Sequence, residues 1–399
     1  MRFDSGLLAH VGDLSRYPQV DEWLELPKLL ESAGYTGVWC AEHHFSWDTG
    51  VTPTPTNPLM YASYIATNTT NLRIGLCGLN LPAWHPLRAA EDAAFVDHIS
   101  GGRLDFGFMK GMSPKISTNF DAVGRGRDHG RTNADVMWEA YDVIRKFWSG
   151  EPFSHDGTYF TFPAKWEAKG VPKEAMDPTF YGPHGELIAI KGIPLPFQDP
   201  IPPAWVMVDS VSSHEQAARN GVGTLCFANT FEGTREIWNA YRKAANEADA
   251  GGALPAGANS RFGMMRPTFV ASTQEEAEAV MRPALNKLFG GFYGVDSWLG
   301  RQNLIASHQE LTEEDRDCDW FDFFQRHEQI FVGTPEFVTE RLKKYEEELG
   351  AEHLVMYWSM PDVSYGQMTD SIKLFADKVM PNFPSGDSSS VLESEKVGA

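Results

Sequence analysis

The chain has 399 residues, enough for one large α/β barrel domain or for two or three smaller ones. Its formal net charge of −20 excludes the basic surface that nucleic acids and anionic membranes require. Hydrophobic residues at 42% and charged residues at 22% exclude a disordered or fibrous chain. No apolar run reaches the roughly 18 residues that a membrane-spanning helix needs. Met1-Arg2-Phe3-Asp4 leads straight into a strand-like pattern with no signal peptide, so a cytoplasmic location is expected. Cys40, Cys77, Cys226 and Cys318 have no CxxC spacing. The first three lie in apolar runs and read as reduced core thiols.

In chain order, short apolar runs alternate with longer helical patterns. Strand Phe3–Ala9 precedes a helix over 20–34, Gly37–Ala41 precedes 56–68, Leu72–Cys77 precedes 86–99, and Leu104–Phe108 precedes 130–149. Ala204–Val208 then leads to 212–220, Gly223–Phe227 to 232–249, Met264–Ala271 to 274–290 and 335–348, and His353–Tyr357 to 366–379. Strands followed by helices in this way are parallel βα units. At eight units the natural closure is a (β/α)8 TIM barrel. An open doubly wound sheet is the competing arrangement, but no GxGxxG follows the first strand. Gly124, Gly126 and Gly130 follow a loop and read as a turn.

Long insertions follow strands four and seven. Residues 163–203 hold nine prolines, too many for a helix or central strand, and read as an irregular insertion. Residues 291–330 mix aromatic and acidic side chains and read as an active-site lid. Residues 385–399 are polar and expected to be a disordered tail. The expected organisation is a single barrel domain over 1–384.

A barrel carries its chemistry on loops at the C-terminal ends of its strands. Strand two ends in Glu42-His43-His44, three in Cys77-Gly78 with Trp84-His85 beyond, four in Met109-Lys110-Gly111, and five in Asp209-Ser210-Val211-Ser212-Ser213. A charged residue and two imidazoles at the edge of a core suit acid–base work, although structural networks use the same groups. Ser210 and Ser213 open a helix. They read as ordinary caps or, with Lys110 and Arg131, as an anion site. The Glu-His-His spacing does not match a helical zinc site, no HExxH or GxSxG occurs, and no metal is expected.

Four ordered segments resemble the bacterial luciferase-like flavin monooxygenases. They are Val38-Trp39-Cys40-Ala41-Glu42-His43-His44-Phe45; Leu81-Pro82-Ala83-Trp84-His85-Pro86 through Glu91-Asp92; Ser100-Gly101-Gly102-Arg103 through Gly107 with Lys110-Gly111; and Val332-Gly333-Thr334-Pro335-Glu336 with Met380-Pro381. The resemblance implies a barrel that uses reduced FMN as cosubstrate and O2 as oxidant through a C4a-peroxyflavin. It implies a separate NAD(P)H-dependent flavin reductase as partner, a mostly apolar organic substrate (aldehyde oxidation, Baeyer–Villiger insertion or hydroxylation) and a homodimer. By position, His43 matches the catalytic histidine, with His44 as the alternative and Glu42 as a support. Lys110, Arg131, Ser210 and Ser213 match phosphate contacts, and Asp209 lies beside them. Cys77-Gly78 falls where relatives carry a non-proline cis peptide. Cys77, Trp84, Phe108, Met109 and Phe227 are expected to line the cavity. Lys110 stands where luciferase has arginine, and Met109 where it has a cysteine. A deazaflavin (F420)-dependent oxidoreductase, a non-catalytic flavin-binding protein and a metal-dependent barrel hydrolase are the competing readings. Small-residue faces on 56–68 and 86–99 (Ala62, Ala66, Ala89, Ala90, Ala93, Ala94) are the expected dimer contact.

Overall fold

The computed structural model describes residues 1–7, 9–10, 20–44, 52–53, 56–111, 114–120, 133–255, 258–259, 261–293 and 298–383. Eight parallel strands close on themselves. They are β1 Arg2–Leu7, β2 Gly37–Cys40, β3 Arg73–Leu76, β4 Leu104–Met109, β5 Ala204–Met207, β6 Gly223–Cys226, β7 Phe262–Val270 and β8 His353–Tyr357. Each pairs with the next, β4 joins β5 through Ala204 opposite Phe106, and β8 returns to β1 with His353 opposite Arg2. The (β/α)8 barrel expected from the alternation of runs is therefore the observed fold.

The surrounding helices are α1 Val20–Ser32, α2 Pro58–Asn68, α3 Pro86–Ser100, α4 Asn133–Trp148, α5 Val211–Arg219, α6 Phe231–Ala250, α7 Gln274–Tyr293, α8 Pro335–Leu349 and α9 Tyr365–Lys378. Their starts follow from capping chemistry. Asn57, Ser210, Thr230, Thr334 and Ser364 each accept a backbone N–H of the first turn, which satisfies donors the helix cannot. Proline opens α2, α3 and α8, where its missing N–H costs nothing. Arg103 of the Ser-Gly-Gly-Arg segment is buried. Its guanidinium donates to the carbonyls of Ala66, Leu72 and Ser100 and to Thr69 Oγ1, stapling α2 and α3 to the start of β4.

The barrel interior holds large rings above a charged layer. Trp39 and Trp205 meet edge to face, with ring centroids 5.5 Å apart. Room for them comes from Gly75, where an added Cβ would lie 2.2 Å from the Trp39 indole. At the N-terminal end of the strands Arg2 pairs with Asp4 (2.7 Å) and Asp105 (3.0 Å), and Arg73 with Asp105 (2.9 Å). His353 Nε2 lies 2.8 Å from Asp4, and the Trp39 indole donates to the same carboxylate at 2.7 Å. Burial alone would raise the Asp4 pKa, but the Arg2 and His353 charges outweigh it and bring it to about 2. In barrels this end serves stability.

Between β4 and β5, residues 163–203 carry isolated bridges and one short 3-10 turn at Lys173–Ala175. After α7 come short helices Trp298–Gln302, Glu313–Asp317 and Trp320–Arg326; the last packs against α7, where the Phe289 and Phe324 rings are 4.4 Å apart. The tail at 384–399 lies outside the described residues. All six alanines expected to face a second chain are buried within this one. The side chains these two helices expose include Met60 and Phe95. No helix among the described residues is long and apolar enough to cross a membrane.

Candidate active site

Alternation along the strands fixes what faces the interior. The His353 side chain points inward, so Val355 and Tyr357 do as well. Asp105 points inward, so Gly107 and Met109 follow. At the C-terminal rim this turns Met109 and Tyr357 toward the barrel interior, with Phe227 beside Tyr357. The Phe227 and Tyr357 rings are 5.6 Å apart, and Cys77 and Tyr357 are both buried. Burial raises the pKa of both groups, so Cys77 stays a thiol and Tyr357 a neutral phenol. The Cys77–Gly78 peptide is cis.

Phe108 has the opposite parity. Its ring stacks on Tyr141 at 4.6 Å and meets Trp138 at 5.7 Å, both on α4. The expectation that Phe108 lines the cavity is therefore corrected: it belongs to the strand–helix core. Tyr357 was missed from sequence, although its even spacing from His353 within one strand was the signal for it.

Glu42 is 1% exposed and serves as a hub. Its Oε2 accepts the Asn80 backbone N–H at 2.8 Å, and the Trp84 indole donates to both oxygens at 3.0 and 3.1 Å. His44 Nε2 lies 2.8 Å from Oε1, and the His44 ring rests 4.5 Å from that of Phe120. Glu42, expected from sequence as a support, orients an imidazole, and the imidazole is His44.

His43 is half-buried beside this pair. Burial, helped by neighbouring His44, lowers its pKa from 6.5 to about 4. The ring is neutral at pH 7, a hydrogen-bonding group or proton acceptor and not a stored acid.

Lys110 follows β4 and is exposed, and the side chain of Met109 is buried next to it. Asp209 Oδ1 accepts the Phe227 N–H at 2.7 Å, and its backbone carbonyl accepts from Asn229 Nδ2 at 3.1 Å, tying the ends of β5 and β6 together. Burial raises the Asp209 pKa against the N–H groups of Phe227 and Ala228 and against Arg266 and Lys110, yet the side chain is exposed. Ser210 caps α5, and its hydroxyl donates to Ser213 Oγ at 2.8 Å, so both hydroxyls sit at the helix N-terminus. Phe45 and Arg131 lie outside the described residues.

The C-terminal rim thus carries the Ser210–Ser213 helix start, Lys110, the buried Cys77, Met109 and Tyr357, and the neutral His43 imidazole. The luciferase-like monooxygenase family model matches residues 1–353, and the chain belongs to that family. The oxygenase component of a flavin-dependent trigonelline monooxygenase from Acinetobacter baylyi is 24% identical over 370 residues, covering 91% of this chain and 89% of that protein. Among solved structures, monooxygenase RslO1 from Streptomyces bottropensis superposes with a TM-score of 0.73 at 21% identity, covering 96% of this chain and 100% of the other. The oxygenating constituent of 3,6-diketocamphane monooxygenase from Pseudomonas putida, in complex with FMN, gives 0.70 at 21%, covering 96% and 98%. An F420-dependent secondary alcohol dehydrogenase gives 0.65 at 16%, covering 96% and 98%. These likenesses between structures establish the fold.

Proposed function

We propose that this chain is the oxygenase half of a two-component system, taking reduced FMN from a separate NAD(P)H-dependent reductase and using O2 to oxygenate a mostly apolar organic substrate. The observation that carries this reading is the layout of the rim. Lys110 and the Ser210–Ser213 helix start offer positive potential for a phosphate, while Cys77, Met109, Phe227 and Tyr357 offer an apolar recess for a flat ring. Arg131 is the proposed fourth phosphate ligand. Family membership and the trigonelline monooxygenase relative support flavin chemistry over the metal-dependent hydrolase.

When bound, the reduced flavin supplies two electrons and activates dioxygen, one oxygen atom going to the substrate and the other leaving as water. The protein's share is placement, proton control and exclusion of bulk water. His43, neutral at working pH, accepts a proton at the edge of the recess or holds an oxygen by hydrogen bonding. His44, fixed by Glu42, shapes the neighbouring wall. The 298–330 segment, anchored by Gln329 Nε2 on the Phe227 carbonyl at 3.0 Å, closes the β6 side as a lid. We place the working protein as a homodimer in the cytoplasm.

The test supplies reduced FMN and isotopically labelled dioxygen with a panel of aldehydes, ketones and N-heterocyclic carboxylates. Label in an oxygenated product supports the reading. Oxidation of an alcohol by deazaflavin without dioxygen would replace it with the F420-type alternative.

A further inference from the structure

We propose that Asn80 is a positioning residue that holds the Lys110–Gly111 backbone in its phosphate-binding arrangement. The inference rests on the reading of Lys110 as a ligand of the flavin phosphate.

Asn80 lies two residues beyond the cis Cys77–Gly78 peptide, in a short strand extension where it pairs with Met109. It is 0% exposed. Its backbone N–H is committed to Glu42 Oε2 at 2.8 Å. Its side chain is not committed: both Oδ1 and Nδ2 are buried without a hydrogen-bond partner. A buried carboxamide with neither end satisfied is costly and is retained where another state of the protein uses it. An apolar side chain such as Val would fill much of the space without that cost.

The amide abuts one backbone segment. A Cβ on Gly111 would lie 2.7 Å from Asn80 Oδ1 and 2.9 Å from Nδ2, and Gly111 sits at φ +81°. A side chain at 111 would thus strike the amide and strain the backbone, so glycine brings the chain directly against it. The Lys110–Gly111 peptide carries one acceptor and one donor, matching the donor and acceptor of the carboxamide. Glycine also lets that peptide turn. As Lys110 takes up a phosphate, the adjoining peptide turns to bond Asn80, and the amide gains two partners. Affinity for the phosphate thereby includes bonds formed away from it.

The experiment compares wild type with Asn80→Val, and with Asn80→Ala as a second variant. It uses anaerobic titrations with reduced FMN and reduced riboflavin, and thermal unfolding of the ligand-free proteins. The expected result is a roughly fivefold to thirtyfold loss of FMN affinity, unchanged riboflavin affinity, and a ligand-free Tm at or above wild type. An unchanged FMN-to-riboflavin ratio in the variants overturns the proposal. So does a lowered ligand-free Tm in both variants, because the amide would then have a partner before flavin arrives. A wild type that binds both flavins equally removes the phosphate reading itself, and this inference with it.

Discussion

Glu42 Oε1 lies 2.8 Å from His44 Nε2, while the second oxygen of the same carboxylate accepts the backbone N–H of Asn80. One buried acid therefore joins the loop after β2 to the loop after β3, the two loops that bring His43 and the cis Cys77–Gly78 peptide to the rim. Glu42→Ala should leave the Asn80 N–H and the Trp84 indole without their acceptor, at a cost of about 2–5 kcal/mol. Glu42→Gln, which keeps one carbonyl oxygen, should lose less. Urea unfolding of both variants checks this. Equal stability of Glu42→Ala and wild type would show that the hub does not support the fold.

His43 should remain neutral well below its ordinary titration range, since burial places its pKa at about 4. The unfolded chain, with a pKa near 6.5, takes up the proton first. This residue's contribution to stability is thus full above pH 6.5, falls as the pH drops toward 4, and changes no further below that. NMR titration with labelled histidine reads the pKa directly. A midpoint near 6.5 would show that the ring is well solvated.

Lys110→Ala should weaken FMN binding by roughly 10- to 150-fold, the worth of one charged hydrogen bond, and leave riboflavin binding unchanged. Isothermal titration with the two flavins makes the comparison. Equal losses for both would move Lys110 from the phosphate to the ring.

Asp105 holds Arg2 and Arg73 inside the barrel, far from the rim. Asp105→Asn should cost about 3 kcal/mol by leaving those guanidinium groups short of charge. Its pKa and that of Asp4 are depressed, so their contribution is present above the ordinary carboxylate range and lost as pH falls through the lowered values. Acid unfolding followed by circular dichroism should therefore come at a higher pH in the variant.

Much of this was legible in the sequence. The eight strands are short apolar runs bounded by polar turns, and local pattern reports them well. The rule that chemistry gathers at strand C-termini placed Glu42, Cys77, Met109, Lys110 and Asp209 on one face. Other features depend on contacts between distant positions. The Arg2–Asp4–Asp105–Arg73–His353 network joins residues up to 351 positions apart along the chain. Phe108 was misplaced because an all-apolar strand hides its inside and outside faces. The alanines of α2 and α3 were read as an outer face because helical spacing alone does not say which side meets the barrel. Nothing local marks the Asn80 amide as unpartnered, or the burial that moves His43 away from neutrality.

The central claim is that the rim is a reduced-FMN site. Its most direct test is an anaerobic fluorescence titration of the wild-type protein with reduced FMN and, separately, with reduced deazaflavin. The account predicts saturable binding of reduced FMN at micromolar concentration or below, with much weaker binding of the deazaflavin. Tight binding of the deazaflavin with no saturable response to reduced FMN would contradict it.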